Sequence, residues 1–335
     1  MRILAASVGV MLMVLGGAVF ADPPAPPSSY VERPEVRAFV RTMVERHDFQ
    51  KAQLLRLFAK AQRQDAILQA IGPAAPEKAP SWENYRSIFL SEHRIEAGLA
   101  FWTRHQEALD RARQLYGVPE EYVVAILGVE TFYGRHTGRW RVLDALTTLA
   151  FDYPRRADFF RGELEKYLLL ARHTHVDALT LKGSYAGAIG IPQFMPSTYL
   201  RYAVDFDGDG VADLRDSAVD AIGSVANFLH AHGWGSGEAV QLRAIVDGDG
   251  YRSYADAGLQ PRYALAELAR AGIVPVSSPP PGDPLAALVE LGSPDAPSEF
   301  RIGLRNFYVL TRYNRSSFYA SAVADLAEAL RAARD

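Results

Sequence analysis

Amphipathic helical periodicity, repeated along most of the chain, is the feature that most limits the fold. Apolar residues recur three and four positions apart in residues 33–49, 51–71 and 95–117, and the last of these segments ends at Gly117. This spacing places apolar side chains on one face of an α-helix, and glycine is favoured just after a helix ends. Further helices are predicted at 119–134, 157–173, 196–206, 218–234 and 316–335. The fold is therefore expected to be mainly helical.

Two stretches in the C-terminal third are predicted to be extended instead. Residues 240–247 and 300–313 indicate a small β element inserted in the helical whole. Proline-rich stretches at 71–82 and 276–284 interrupt the periodic segments and indicate breaks between packed units. With 49% hydrophobic residues and no apparent repeat, the chain is expected to bury a sizeable core in two or three subdomains.

The N-terminal segment 1–21 has the pattern of a cleaved secretory signal. Arg2 is followed by an uncharged run that ends on Val19-Phe20-Ala21, a small-residue cleavage site. An uncleaved membrane anchor is the alternative, because the run reaches the lower length limit for a membrane span. We expect the mature chain to begin near Asp22, with residues 22–30 as a proline-rich leader. A location outside the cytoplasm follows from this pattern.

Charge and cysteine content exclude several classes of protein. The formal net charge is −3, and removing Arg2 makes it one unit more negative, so no basic field points to nucleic acid. The absence of cysteine excludes a disulfide framework and a lipid-carrying cysteine. No stable membrane anchor is therefore expected, and nothing in the sequence demands more than a monomer.

A cluster of aspartates predicts a calcium site. Asp205, Asp207 and Asp209 alternate along the chain and are followed by Gly210, which matches the start of an EF-hand loop, D-x-D-x-D-G. With the backbone carbonyl of Val211, these carboxylates supply most of the shell of a hard divalent ion. A solvated acidic turn is the alternative, although three such close carboxylates repel one another without a cation.

Two residues are candidates for the last ligand of this shell. Asp216 stands at loop position twelve, where a glutamate is usual, and the next acid is Asp220. The ion is expected to be single and structural, because a fully ligated ion offers no open position for chemistry. A later "DGDG" at 247–250 lacks a downstream acid and is interpreted as a turn.

Glu130 is a lone acid that follows seven uncharged residues, 123–129. Its apolar neighbours and its place in the last turn of a predicted helix should both raise its pKa. Such an acid can hold a proton near neutrality and donate it to a leaving oxygen. The alternative is a simple ion pair with Arg135 or another base at a helix end.

Uncharged polar and aromatic residues suggest a sugar-binding surface. Residues 182–200 combine glycines with Ser184, Gln193 and Tyr199, which offer uncharged hydrogen bonds. Aromatic side chains are plentiful, and sugars present apolar ring faces with hydroxyl rims. A packed core explains most of these aromatic residues equally well.

Several motifs together resemble the lytic murein transglycosylase B family. They are "GVETFYG", "LDALTTLAFDYPRRADFFRGELEKYLLL", "KGSYAGAIGIPQFMPSTY", the loop 205–220, "DAIGSVANFLHAHGW" and "NFYVLTRYNRSSFYASAV". The resemblance runs from about residue 31 to the end, in the order and spacing of the family. It implies a lysozyme-like helical catalytic core at 101–235, a helical subdomain at 31–100, and a small β element with a C-terminal helix at 236–335.

The resemblance also implies an activity in the bacterial periplasm. Enzymes of this family cut the β-1,4 bond between N-acetylmuramic acid and N-acetylglucosamine in peptidoglycan without water and leave a 1,6-anhydro end. Peptidoglycan strands are the implied partner, and proteins of cell-wall synthesis or division are candidate partners. A lysozyme-type hydrolase and a non-catalytic wall-binding protein are the alternatives, since either could use the same cleft.

Functional residues are implied by the matching motifs. Glu130 matches the single catalytic acid and base. The residues expected to bind glycan or its peptide, or to support the glutamate, are Tyr85, Arg155, Arg156, Ser184, Gln193, Phe194, Tyr313, Asn314 and Tyr319. The expected calcium ligands are Asp205, Asp207, Asp209, the Val211 carbonyl and Asp220.

Alternatives remain for some of these residues. Ser184 could serve only as a turn hydroxyl, and Arg155 and Arg156 could pair with Glu163 or Glu165. The chain departs from the family in having one extra residue between Asp216 and Asp220 and in lacking the cysteine that anchors many relatives.

Overall fold

A computed structural model describes residues 29–72, 81–294 and 296–335. The predicted signal segment 1–21, nearly all of the leader 22–30 and most of the stretch 71–82 lie outside the described residues. Within the described part, no helix combines the length and the apolar character that a membrane span needs.

Helices form most of the structure, as the periodicity predicts. In chain order they are α1 Pro34–His47, α2 Lys51–Ala59, α3 Asp65–Ile71, α4 Trp82–Phe89, α5 Glu92–Arg104, α6 Gln106–Tyr116, α7 Glu120–Thr131, α8 Val142–Asp152, α9 Ala157–His173, α10 Pro196–Tyr202, α11 Ala218–Ala231, α12 Arg252–Ala255, α13 Leu265–Arg270, α14 Arg305–Tyr313 and α15 Ser317–Arg334. Single 3₁₀ turns lie at Tyr30–Glu32 and Pro154–Arg156.

Two of the predicted long helices are each broken in two. Between α2 and α3, the backbone N–H of Gln62 is donated to Asp144 Oδ1 at 2.9 Å, and that of Gln64 to Thr148 Oγ1 at 3.1 Å. These amides are therefore held by side chains of α8. Between α5 and α6, His105 adopts φ −114° and ψ 25°, which ends the first helix.

The strands are β1 Trp140–Arg141, β2 Lys182–Gly183, β3 Gln241–Val246, β4 Tyr263–Ala264, β5 Ile273–Pro275, β6 Leu285–Ser293 and β7 Ala296–Gly303. Antiparallel pairing joins β1 to β2, and a second sheet of five strands has the order β4-β6-β7-β3-β5. This sheet packs on a small core of its own, which includes Leu268, Ile273 and Leu288. The mainly helical fold with a small β part is thus confirmed, while the exact subdomain bounds remain predictions.

The extended segment predicted at 300–313 is wrong from residue 305 onward. The strand β7 ends at Gly303 and the helix α14 begins at Arg305. Phe307 and Leu310, three positions apart, are both fully buried. This burial on one face stabilises a helix in a stretch whose aromatic and β-branched residues also favour a strand.

The main core surrounds α7, whose residues Val123 to Leu127 are all fully buried. The long helix α15 packs along α7 and also contacts α4 and α5. Residues on these helices therefore meet at the end of α7, although they are far apart in the sequence.

Candidate active site

Glu130 lies in the last turn of α7, in a partly buried position. Burial raises the pKa of its carboxyl from 4.5 to about 7, and a hydrogen bond from the Tyr319 hydroxyl to Oε1, at 2.6 Å, opposes this rise. Burial is thus the main cause, because it penalises the ionised form. Among the described residues, no ion pair joins Glu130 to Arg135. The carboxyl can therefore hold or release a proton near neutral pH.

Three tyrosines from three other helices surround this carboxyl. The Tyr313 hydroxyl donates to the Pro192 carbonyl at 2.6 Å, and the Tyr313 and Tyr319 rings stack at 6.3 Å with an interplanar angle of 12°. Burial, and then the charge of Glu130, raises the pKa of Tyr85, Tyr313 and Tyr319. All three phenols therefore stay protonated and can donate hydrogen bonds.

The turn after Glu130 is held by close packing. Phe132 and Tyr133 both adopt left-handed backbone, with φ of 52° and 60°, which is costly for large side chains. The Tyr133 ring fills a space between α5 and α7. A Cβ at Gly98 would lie 2.4 Å from the Tyr133 hydroxyl, and one at Gly128 would lie 2.7 Å from the ring. The packing of this ring holds the end of α7 in place, three residues before the predicted stop at Gly134.

Thr131 joins the end of α7 to the segment 183–194, which carries Ser184 and Gln193. Its buried hydroxyl donates to the Ile191 carbonyl at 2.8 Å and accepts from the Gly134 N–H at 2.9 Å. The position next to Glu130 is therefore fixed relative to this segment.

The segment 183–194 places Ser184 and Gln193 by local hydrogen bonds. The Ser184 hydroxyl accepts from the Ala188 N–H at 3.0 Å, so it does act as a turn hydroxyl, while its own proton stays free to donate. Gln193 has a left-handed backbone with φ 53°, and its Nε2 donates to the Thr137 and Gly190 carbonyls at 3.0 and 2.8 Å. Its amide is thus held in one orientation.

The remaining predicted binding residues differ in exposure. Phe194 is 2% exposed and packs against Tyr313 and Phe228 at ring distances of 5.8 and 5.7 Å, so its ring supports Tyr313 from the core. Asn314 is exposed directly after α14. Its binding role stays a prediction.

Arg155 and Arg156 are exposed on the 3₁₀ turn before α9. Within the described residues, neither guanidinium pairs with Glu163 or Glu165. Glu163 instead accepts hydrogen bonds from the Ser197 backbone and hydroxyl, and Glu165 pairs with His47. Arg156 stacks over the Phe159 ring at 4.3 Å, and neither arginine is held in an ion pair by a described carboxylate.

The predicted metal loop brings three carboxylates together. Oxygens of Asp205, Asp207 and Asp209 all lie within 4.8 Å of one another, and the three side chains are exposed. Gly208 and Gly210 both have positive φ, of 82° and 96°, which lets the loop curl around the carboxylates. Three hard oxygen donors in such a curl fit calcium.

Asp220 lies beside this group and not within it. Its fully buried carboxylate accepts backbone N–H groups from Phe206 at 2.7 Å, Asp207 at 3.1 Å and Asp213 at 2.8 Å. It therefore organises both ends of the loop. That Asp220 completes a metal shell stays a prediction, with Asp216 as the alternative.

Sequence reasoning missed Thr131 and the role of Tyr133. A hydroxyl directly after Glu130 in the sequence could have pointed to Thr131. Its hydrogen-bond partner, the Ile191 carbonyl, lies 60 positions away, so the contact itself could not be predicted. The Tyr133 site depends on Gly98 and Gly128 lying on facing helices, which a single sequence does not reveal.

The raised pKa of Glu130 predicts a pH-dependent effect on stability. The folded carboxyl keeps its proton up to about pH 7 and the unfolded one up to about 4.5, so the wild type loses stability as the pH rises between these values. Glu130→Gln has no such proton to lose. We expect it to unfold like the wild type at pH 4 and to be more stable at pH 8, by at most about 3 kcal/mol, reduced by solvent at the carboxyl.

Urea unfolding at both pH values measures this difference. Glu121→Gln, a change in the first turn of the same helix, is the control and should give no such gain at pH 8. Equal stability of Glu130→Gln and wild type at pH 8 would contradict a carboxyl with a raised pKa.

Comparison with known proteins gives consistent matches. The family model described as "Transglycosylase SLT domain" matches residues 32–328. The chain is 44% identical over 313 residues to membrane-bound lytic murein transglycosylase B of Escherichia coli K12, covering 91% of this chain and 85% of that protein. It is also similar to the crystal structure of soluble lytic transglycosylase SltB1 of Pseudomonas aeruginosa, with 48% identity, a TM-score of 0.83, and coverage of 90% and 99%.

Some of the similar solved structures carry ligands. Escherichia coli lytic transglycosylase Slt35 in complex with calcium is 43% identical, with a TM-score of 0.80 and coverage of 90% of this chain and 94% of that one. SltB3 of Pseudomonas aeruginosa in complex with NAG-anhNAM-pentapeptide is 31% identical, with a TM-score of 0.76 and coverage of 89% and 79%.

Proposed function

This chain belongs to the transglycosylase SLT domain family, and on that premise we propose that it cuts peptidoglycan between N-acetylmuramic acid and N-acetylglucosamine and leaves a 1,6-anhydro end. Its relatives are lytic murein transglycosylases, and the chain is an enzyme of that class. The 1,6-anhydro product and the residues that form it are what we propose.

One observation supports the non-hydrolytic route most directly. Most glycosidases use two carboxylates on opposite sides of the bond they cut. Among the described residues, the polar group that shifts the pKa of Glu130 is the Tyr319 phenol. No second carboxylate in the described part of the chain contributes to this shift. A reaction that needs one carboxyl, used twice, suits this arrangement.

In the proposed first step, Glu130 donates its proton to the glycosidic oxygen and the C1–O bond breaks. The N-acetyl group of the sugar stabilises the developing positive charge at C1, as in substrate-assisted glycosidases. The Tyr319 hydroxyl, 2.6 Å from Oε1, stabilises the carboxylate that forms.

In the second step, the Glu130 carboxylate takes the proton of the C6 hydroxyl, and that oxygen bonds to C1. The proton lost in the first step is thereby restored, and no water enters the products. An intramolecular nucleophile has an effective concentration of about 10⁵ M or more when aligned. Ser184 and Gln193 are proposed to hold the sugar in that alignment.

The other predicted residues are assigned to the ends of the substrate. Arg155 and Arg156 are exposed and unpaired within the described structure, and guanidinium groups bind carboxylates well, so we assign them to the peptide stems. Tyr85, Tyr313 and Asn314 are assigned to the glycan. The relative SltB3 was solved with a glycan that carries such a peptide.

We further propose that the loop 205–220 holds one calcium ion and that the protein acts in the periplasm. The relative Slt35 was solved with calcium. Asp205, Asp207 and Asp209 would hold the ion together with the Val211 carbonyl, and an ion there would cross-link the loop.

Mass spectrometry of digested sacculi tests the proposed reaction. We expect muropeptides with 1,6-anhydro ends, because the attacking oxygen belongs to the substrate. Products carrying one water more would indicate a lysozyme-type hydrolase. Binding to sacculi without release of soluble fragments would indicate a wall-binding protein.

A further inference from the structure

Asp325, on α15, is the centre of a buried charged cluster that joins four elements. Its Oδ2 accepts a hydrogen bond from Arg86 Nε of α4 at 2.7 Å and lies 3.6 Å from Arg301 Nη2 of β7. Its Oδ1 accepts one from Gln241 Nε2 of β3 at 3.2 Å. The side chains of Asp325 and Arg301 are each 2% exposed. One carboxylate thus connects two helices to the five-stranded sheet.

Two of these elements carry tyrosines of the candidate active site. Tyr319 lies on α15 and donates its hydrogen bond to Glu130, while Tyr85 directly precedes Arg86 on α4. Phe318 of α15 packs against α4, with its ring 5.7 Å from that of Tyr85. A displacement of α4 or the sheet relative to α15 would therefore move phenols around Glu130.

Stability alone explains this cluster poorly. Taking charges out of water costs free energy that their mutual attraction recovers only in part. Two further polar atoms of the cluster, Arg301 Nε and Gln241 Oε1, are buried and lack a partner among the described residues. Charged hydrogen bonds do, however, fix geometry more closely than apolar contacts do.

We propose that Asp325 is a positioning residue for the active site, which holds α4 and the sheet against α15 and thereby keeps the Tyr319 hydroxyl on Glu130. Asp325 is too buried to contact a glycan itself. The catalytic part of this inference rests on the function proposed for Glu130, whereas its structural part does not.

The consequence can be measured at Glu130 directly. The Tyr319 hydrogen bond lowers the pKa of Glu130, so weakening it should raise that pKa. The ionisable groups that face the carboxyl among the described residues are the phenols of Tyr85, Tyr313 and Tyr319. These phenols stay neutral over the range in which the carboxyl titrates.

The test is to titrate Glu130 in the Asp325→Asn variant. The titration is monitored by ¹³C NMR of labelled glutamate carboxyls. The signal that disappears in Glu130→Gln identifies the group. We expect the pKa of Glu130 to rise by roughly 0.5–1 unit. The alkaline limb of the pH profile of kcat/KM should shift to higher pH by the same amount. In a Tyr319→Phe background, Asp325→Asn should cause no further rise, because the bond it supports is already absent.

A matched control is Asp144→Asn on α8. Asp144 is also buried, 4% exposed, and binds an arginine, Arg141, at 2.7 Å, but it contacts neither α4 nor α15. It should leave the pKa of Glu130 unchanged. If Asp325→Asn does not fold, Arg86→Gln replaces it, since the Arg86 side chain is 37% exposed.

An unchanged pKa in a folded Asp325→Asn, or an equal rise with and without Tyr319, would overturn the proposal. Because NMR does not depend on turnover, this result is independent of the reaction. An active Glu130→Gln enzyme would overturn the proposed function and leave the positioning test intact.

Discussion

Glu130→Gln is expected to fold and to lose about 10⁴-fold or more in kcat on purified sacculi. General acid–base catalysis by one positioned group contributes about 10²–10⁴-fold, and in the mechanism that we propose one carboxyl serves as both acid and base. Glutamine has nearly the same shape and can still accept the Tyr319 hydrogen bond, so the site geometry should survive. Release of soluble muropeptides, quantified by chromatography, measures the loss.

The control for this experiment lies on the same helix. Glu121, in the first turn of α7, pairs with Arg331 at 2.6 Å, and Glu121→Gln should retain activity within a few fold. Sacculus lysis by folded Glu130→Gln at more than about one tenth of the wild-type rate would contradict the assignment, since loss of an acid–base group costs at least about 10²-fold.

Removal of calcium should destabilise the folded protein. An ion that binds only the folded protein, at one hundred times its Kd, stabilises it by about 2.7 kcal/mol, which corresponds to roughly 5 °C in Tm for a chain of this size. Without the ion, the clustered carboxylates of Asp205, Asp207 and Asp209 also repel one another. Scanning calorimetry with calcium and with chelator measures the change.

Two variants make this result specific. Asp207→Ala should lower the Tm in calcium and abolish most of the response to chelator. Asp249→Ala, an exposed aspartate in the turn 247–250, should respond to chelator like the wild type. Identical melting of the wild type with and without calcium would contradict an ion at this loop.

Prediction from the sequence succeeded where local pattern dominates. The segment 157–173 forms α9 with the predicted bounds, and 218–234 contains α11. In both, apolar residues on one face meet the core, so the period in the sequence and the burial in the structure agree. The failures lie where distant groups decide, as at Gln62, whose backbone is held by Asp144.

The candidate site shows the same division. Seven uncharged residues before Glu130 were sufficient to predict a raised pKa, and burial is indeed its cause. Its partner Tyr319 is 189 positions away, so only the family resemblance pointed to it. Asp325 had no local signal at all, because its partners lie on α4, β3 and β7.

That separation of 189 positions also bears on when the enzyme becomes active during folding. The Tyr319–Glu130 bond requires α15 to be packed along α7, and contacts between such distant parts of a chain are slow to form. Burial is what raises the pKa of Glu130, so a chain in which α15 is not packed should hold less proton on this carboxyl at neutral pH. We therefore expect the acid role proposed for Glu130 to depend on the packing of α15 along α7.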